Sequence, residues 1–354
     1  MASLMTRRQA LALAAQPAAA AARVRLAPRD QLVNVLEYEE QARRALPAAM
    51  AALIATGADE ARPAFDRITL RPRMLVPTLE LDLTVTLFGD TLYTPIVVAP
   101  IGDQRRFHAE GEAATVKGAA LAKTPVIVSS QSSVALPELM ARASASTAPI
   151  WYQVFASDPA AKQQMRAAID AGCRAICVSA GVKPPPAGSS AAPTAVRIDW
   201  AAVAALASGS SVPVLVKGVT TAADAKTALQ HNVQGIVVSN YGAPAAPGSA
   251  LLFQLPAIVD AVAGKVPVLV DGGFRRGTDI LKALALGAQA VAVGRPVMWG
   301  LAAYGAEGVQ GVLEMLQTEL ARYMAMCGKS NLKMLGRDVL RVHAATPPAA
   351  PSRG

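Results

Sequence analysis

The sequence predicts a (β/α)8 barrel, and three observations carry that prediction. Eight short β-branched runs recur between Pro95 and Pro296, each followed by a polar or Gly-rich break and then an Ala-rich segment of helical pattern. The runs are apolar throughout, as a strand must be when it is buried both against a barrel interior and against an outer helix layer. No G-x-G-x-x-G follows the first run, which leaves an open doubly wound sheet as the weaker alternative.

In chain order, "MTRRQALALAAQPAAAAA" comes first, a Thr-Arg-Arg-Gln-Ala-Leu string ahead of an Ala-rich stretch with small residues near Ala20 to Ala22. It resembles a twin-arginine export signal, a pathway for folded proteins, so residues 1–22 are expected to be a signal segment and the protein periplasmic. The alternative is a cytoplasmic protein with a disordered extension.

Residues 23–94 form a lead-in. "LVNVLEYEEQARRALPAAMAALIATGADE" reads as two helices, with Pro47 in a first turn and Gly57 just past a helix end. Phe65 to Tyr93 alternates enough to predict short strands.

Residues 95–342 are the barrel itself. Its runs are "PIVVAPI", "PVIVSS", "PIWYQVF", "AICVSA", "PVLVKGV", "GIVVSN", "PVLVDGG" and "AVAVGRP", and the widest gap, "GVKPPPAGSSAAPTAVRIDW", is a loop placed to lie over the mouth. Residues 343–354, "HAATPPAAPSRG", read as a disordered tail.

Composition narrows the function. The 53% hydrophobic content is largely Ala and Val, and no run of twenty apolar residues follows the first segment, so no membrane span is expected. The formal charge of +9 is spread in short groups without interleaved aromatics, which speaks against nucleic acid. Cys173, Cys177 and Cys327 make neither a disulfide framework nor a metal set, and the first two read as small buried hydrophobes.

Active sites of such barrels lie at the C-terminal strand ends. The residues closing the runs are polar, cationic on one side and nearly free of carboxylates: Ala99 to Gly102, Ser129, Ser130, Gln153, Phe155, Cys177, Ser179, Lys217, Ser239 to Tyr241, Asp271 to Arg276, Gly294 and Arg295. In "VDGGFRRGTD" and "VGRP", glycines, guanidiniums and a helix N-terminus combine into a phosphate grip. Lys217 closes an otherwise aliphatic strand, either as a charge held against an anion or as a Schiff-base nucleophile. His108, His231 and His343 close no strand, so the usual proton-transfer side chain is missing from the mouth and no metal ligand set is expected.

With "APIGDQRRFHAEGE", "WYQVF", "PVLVKGV", "IVVSN", "AFDRITLRPRML" and "VDGGFRRGTDILKALALGAQAVAVGRP", the chain resembles the FMN-dependent α-hydroxy-acid oxidase and dehydrogenase family, that of glycolate oxidase, lactate oxidase and flavocytochrome b2. The resemblance runs from about Leu32 to Leu340. It implies FMN, with Pro100, Ile101 and Gly102 along the flavin N5 edge, and Ser129, Gln153 and Cys177 at the ring. It also implies Lys217 near N1 and O2, Ser239 among the cofactor contacts, and Asp271, Gly272, Gly273, Arg275, Gly294 and Arg295 at the ribityl chain and phosphate. Cys177 stands where a threonine is usual. A homo-oligomer, a tetramer in the family, is also implied.

The substrate side departs from the pattern. The family's catalytic histidine and carboxylate-binding arginine fall at Tyr241 and Pro244, a second arginine has no counterpart in "GVKPPPAGSS", and two tyrosines fall at Leu53 and Phe155. A tyrosine of ordinary pKa, about 10 against about 6.5 for histidine, is a poor base near neutrality. Each lost arginine forfeits a contact worth roughly 1.5–3 kcal/mol. The expected function is therefore FMN-dependent redox chemistry on a small molecule other than an ordinary 2-hydroxy acid, with Tyr241 as hydrogen-bond or proton donor. The alternatives are a non-catalytic FMN-binding protein and a lyase using Lys217.

Overall fold

The computed structural model describes residues 25–55, 62–78, 80–143, 148–184, 194–241 and 250–343. The expected signal segment, Gly57, Pro244 and the Pro-rich tip of the widest loop lie outside them, as does the tail beyond His343.

The lead-in contains α1 (Val35–Ala45), α2 (Ala48–Leu53), α3 (Arg62–Asp66), β1 (Ile68–Leu70), β2 (Val85–Leu87) and β3 (Asp90–Leu92). Asn34 caps α1 by accepting from the Leu36 amide, and Pro47 precedes α2 as its N-cap. The stretch read as strands from Phe65 differs from that reading: Phe65 belongs to α3, and the described residues from 71 to 84 join no named strand. Pro72 and Pro77 lack the amide hydrogen a ladder needs.

The barrel then runs β4 (Ile96–Val98), α4 (Glu112–Leu121), β5 (Val126–Ser129), α5 (Leu136–Ala143), β6 (Ile150–Phe155), α6 (Ala161–Asp170) and β7 (Ile176–Ser179). After the small hairpin β8 (Val182–Lys183) and β9 (Thr194–Ala195) come α7 (Trp200–Ser208), β10 (Val214–Val219), α8 (Ala222–Gln230), β11 (Gly235–Val238) and α9 (Leu251–Val262). It ends with β12 (Val268–Asp271), α10 (Gly277–Ala285), β13 (Ala290–Val293) and α11 (Arg295–Met326), the last interrupted at Tyr304 and Gly305.

All eight predicted strands close into one parallel barrel, with β13 pairing β4. The last strand, β14 (Leu340–Val342), leaves the barrel and pairs antiparallel with β1. His343, the first residue assigned to the tail, continues that pairing, its amide donating to Arg67 O at 2.8 Å.

The strand period of two sorts side chains between two cores. Val97, Ile127, Trp151, Cys177, Leu215, Val237 and Leu269 face inward, while their neighbours pack against the helices. The β2–β3 hairpin plugs the N-terminal mouth by placing Leu87 and Leu92 in the inner cluster. It turns through Phe88 and Gly89, both at positive φ as a two-residue hairpin loop requires. Among the described residues the C-terminal mouth has no such plug.

Candidate functional site

Two residues beyond each inner-core side chain, the same face of each strand reaches the mouth. There Ser129, Gln153, Phe155, Ser179, Lys217, Asp271, Gly294 and Tyr241 border a cavity of about 620 Å³. A larger hollow of about 1020 Å³, bordered by Asp82, Val85, Gln289 and Asn331, lies at the plugged end and contains none of the strand-end residues. Among the described residues lining the mouth cavity are four cationic side chains, Arg106, Lys217, Arg275 and Arg295, and two carboxylates, Asp103 and Asp271.

Gly272 and Gly273 follow β12 at φ 113° and 82°, conformations glycine adopts without strain. A Cβ on Gly272 would meet nothing within 4 Å, and one on Gly294 would meet Ile101 Cδ1 at 3.4 Å and Ala99 Cβ at 3.7 Å. The Gly272 backbone therefore offers close approach to a ligand. Arg275 is 2% exposed, its guanidinium 4.9 Å from the Trp299 ring centroid and its Nη1 donating to Phe274 O at 2.8 Å. Arg295 Nη1 donates to Ala55 O at 3.4 Å.

The helix N-terminus expected to hold the anion is already filled. Asp279 Oδ2 accepts from the amides of Arg275 (2.9 Å) and Arg276 (3.0 Å), and Glu319 Oε2 accepts from Gly277 N–H at 2.7 Å. Two carboxylates of the protein thus satisfy the amides and the dipole of α10. Arg276 pairs with Glu319 at 2.9 Å and does not line the cavity, whereas Arg275 and Arg295 do.

Sequence reasoning missed Arg62. From α3 it donates to Gly273 O (3.0 Å) and to Asp279 (2.5 Å), pinning the glycine turn. A single arginine in the lead-in carries no local signal of this, because its partners are more than 200 residues away.

Lys217 is 4% exposed on the cavity floor. Its Nζ lies 2.8 Å from Asp271 Oδ2, donates to Ser239 Oγ at 2.8 Å and sits 4.1 Å from the Tyr241 ring centroid. Ser239 in turn donates to Asp271 at 3.1 Å and accepts from the Tyr241 amide. Ser239 itself does not line the cavity; it braces the residues that do.

Cys177, expected among the cofactor contacts, does not line the cavity. It is fully buried in the inner core below the mouth, where burial pushes its thiol up to about 12, and the residue of β7 that lines the cavity is Ser179. The two share a face, one period apart, so the strand pattern alone does not separate them. The reading of Cys173 and Cys177 as buried hydrophobes holds, at 2% and 0% exposure.

Tyr241 stands at φ 57°, in the left-handed region. Its hydroxyl donates to the carbonyls of Ala180 (2.8 Å) and Lys217, so the phenol proton is spent on the main chain. Burial raises its pKa well above 10, against the lowering effect of the Ser179 hydroxyl. A base, or a proton donor aimed into the cavity, is not what this geometry provides.

On the opposite wall, Pro100, Ile101 and Gly102 are held from behind. Gln104 Nε2 donates to Ile101 O (2.9 Å), Thr115 donates to Gln104 Oε1 (2.6 Å), and buried Glu112 accepts from the amides of Gln104 and Ser133 (3.0 Å each). Asp103, at φ 53°, and Arg106 face each other at 3.8 Å along the same loop. Gln153 Oε1 accepts from Ser129 Oγ at 2.8 Å, while its buried Nε2 has no partner among the described residues. None of the three histidines lines the cavity: His231 stacks on Trp200, His108 bonds the Glu110 amide and His343 meets Thr69.

Comparison with known proteins agrees with this architecture. The chain matches the sequence profile of a family described as FMN-dependent dehydrogenase over residues 42–186 and 185–342. It is 37% identical over 360 residues to the peroxisomal (S)-2-hydroxy-acid oxidase GLO4 of Oryza sativa subsp. japonica, covering 89% of this chain and 96% of that protein. It is 35% identical over 358 residues to an L-lactate oxidase of Nostoc, covering 88% of this chain and 98% of that one. Among solved structures, mandelate oxidase with (S)-2-phenylpropionate superposes with a TM-score of 0.79 at 34% identity, over 89% of this chain and all of the other.

Proposed function

The chain belongs to the FMN-dependent dehydrogenase family, and from that premise we propose that it is an FMN-binding oxidoreductase that does not oxidise ordinary 2-hydroxy acids. When bound, FMN supplies a two-electron acceptor. The residues present fit it. Gln153 offers a buried donor with no partner among the described residues, Gly272 leaves its Cβ direction open, and Arg275 and Arg295 present guanidiniums to a phosphate. Lys217 places a cation at the ring end of the same cavity, held in position by Asp271 and Ser239.

The observation that carries the substrate reading is the direction of the Tyr241 hydroxyl. Removing a proton from a substrate hydroxyl needs an acceptor in the cavity. At Tyr241 the chain offers instead a phenol that is bonded to two carbonyls and hard to ionise. The same observation favours a second reading, a non-catalytic FMN-binding protein in which Tyr241 braces the loops after β7 and β10. The lyase reading is disfavoured, since a nucleophilic Lys217 has to break a buried pair with Asp271 at 2.8 Å.

Anaerobic mixing with lactate, glycolate and mandelate should leave the flavin absorbance unchanged. Rapid bleaching by any of them would refute the substrate reading. We also infer export through residues 1–22, supported by the twin-arginine string alone.

A further inference from the structure

We propose that the substrate of the mouth cavity is an uncharged, largely apolar molecule seated against Leu53, Ile101, Phe107 and Phe155, and that carboxylates are selected against because the cations of the lining are already engaged. This rests on the reading of the cavity as an FMN site and names the substrate class of that same site.

Charge carries the inference. Four cations against two carboxylates give the described lining an excess of two positive charges. The phosphate of FMN, with about two negative charges near neutral pH, cancels that excess. Each of the four cations also has a partner within the protein. Arg275 Nη1 donates to Phe274 O and Arg295 Nη1 to Ala55 O. Lys217 pairs with Asp271 at 2.8 Å, and Arg106 meets Asp103 and Met50 Sδ, each at 3.8 Å. The remaining internal stretches add no charge of that sign. Residues 56–61, 79, 144–147, 185–193 and 242–249, which lie outside the described residues, contain no lysine, arginine or histidine, and the first stretch carries Asp59 and Glu60.

The uncharged part of the lining offers apolar surface. Leu53 closes α2 and stays 40% exposed, while Phe155 closes β6. Ile101 and Phe107 follow β4 and are half-buried in the loop that Gln104 and Glu112 brace. Lining hydroxyls are spent on the protein: Ser129 donates to Gln153, Ser132 to Val134 O, Ser133 to Glu112, and the Tyr241 phenol to two carbonyls. An apolar body gains by covering such a surface. A carboxylate moved there from water loses its hydration with no cation to replace it. Every 2-hydroxy acid carries that cost, whatever its side chain.

The test is calorimetric titration of the purified protein with phenylacetamide and with phenylacetate, a pair alike in shape and different in charge. It is run at neutral pH in inorganic phosphate, so that Arg275 and Arg295 meet a phosphate anion whether or not flavin is retained, and flavin content is read on the same sample by absorbance. Wild type should bind the amide about tenfold or more tighter than the acid. Leu53→Arg, which adds a cation at an exposed position, should strengthen phenylacetate binding about tenfold or more, and Leu53→Gln should not. Equal or tighter binding of phenylacetate by wild type, no binding of phenylacetamide, or an unchanged acid-to-amide ratio in Leu53→Arg overturns the inference. Preference for phenylacetate in a protein whose flavin is not bleached by lactate would overturn this inference and leave the proposed function standing. A colourless protein would count against the FMN reading, while the acid-to-amide ratio still decides the substrate class.

Discussion

Replacing Tyr241 by phenylalanine separates a bracing tyrosine from a chemical one. The substitution keeps the ring beside Lys217 Nζ and removes only the hydroxyl that donates to the Ala180 and Lys217 carbonyls. Lys217 O retains the Ala180 amide as a donor at 2.8 Å. Ala180, 1% exposed, loses the bond it receives from the phenol. A buried acceptor left without its donor costs about 1–3 kcal/mol. In a domain of this size that lowers Tm by roughly 2–6 °C. The assay is thermal unfolding followed by circular dichroism and by release of flavin fluorescence. Tyr241→Phe should melt earlier by that margin, with FMN content unchanged and flavin reduction by any active donor retained. A variant that melts with the wild type yet loses turnover would show that the hydroxyl serves the reaction, and the bracing role would be refuted.

Arg62→Ala should weaken FMN binding by about tenfold or more, because Asp279 loses its guanidinium partner and the Gly273 carbonyl loses its anchor; dialysis against apo conditions followed by FMN titration measures it, and unchanged affinity would show that the turn is held without α3. Stability should fall on the alkaline side. Folded Cys173 and Cys177 sit at about 12 against 9.0, and Tyr38 at about 12 against 10.0, all through burial, so the folded state keeps protons that the unfolded chain releases. That contribution is complete below about pH 9 and is lost as the pH rises toward 12; urea midpoints that stay flat from pH 8 to 11 would contradict it.

Much of the fold was legible because burial leaves a local trace. Eight strands buried on both faces produce eight β-branched runs, and the turn after β12 carries two glycines at positive φ, so "DGGFRRG" stands out in any register. Tyr241 was legible as a departure, but not its direction. The phenol turns to carbonyls contributed by β10 and by the loop after β7, 24 and 61 residues away. Arg276 looked equivalent to Arg275 until Glu319, 43 residues on, claimed it.

The sequence by itself determined the barrel and the end at which ligands bind, since these follow from strands buried on both faces and from the chemistry of glycine. Only the tertiary structure decided depth and pairing. It set Cys177 in the core and Ser179 at the mouth, filled the N-terminus of α10 with Asp279 and Glu319, neutralised Lys217 with Asp271, and left Arg106 facing the cavity. Depth depends on how each strand is staggered against its neighbours, and pairing depends on groups far apart in the chain, so neither leaves a mark in any local window.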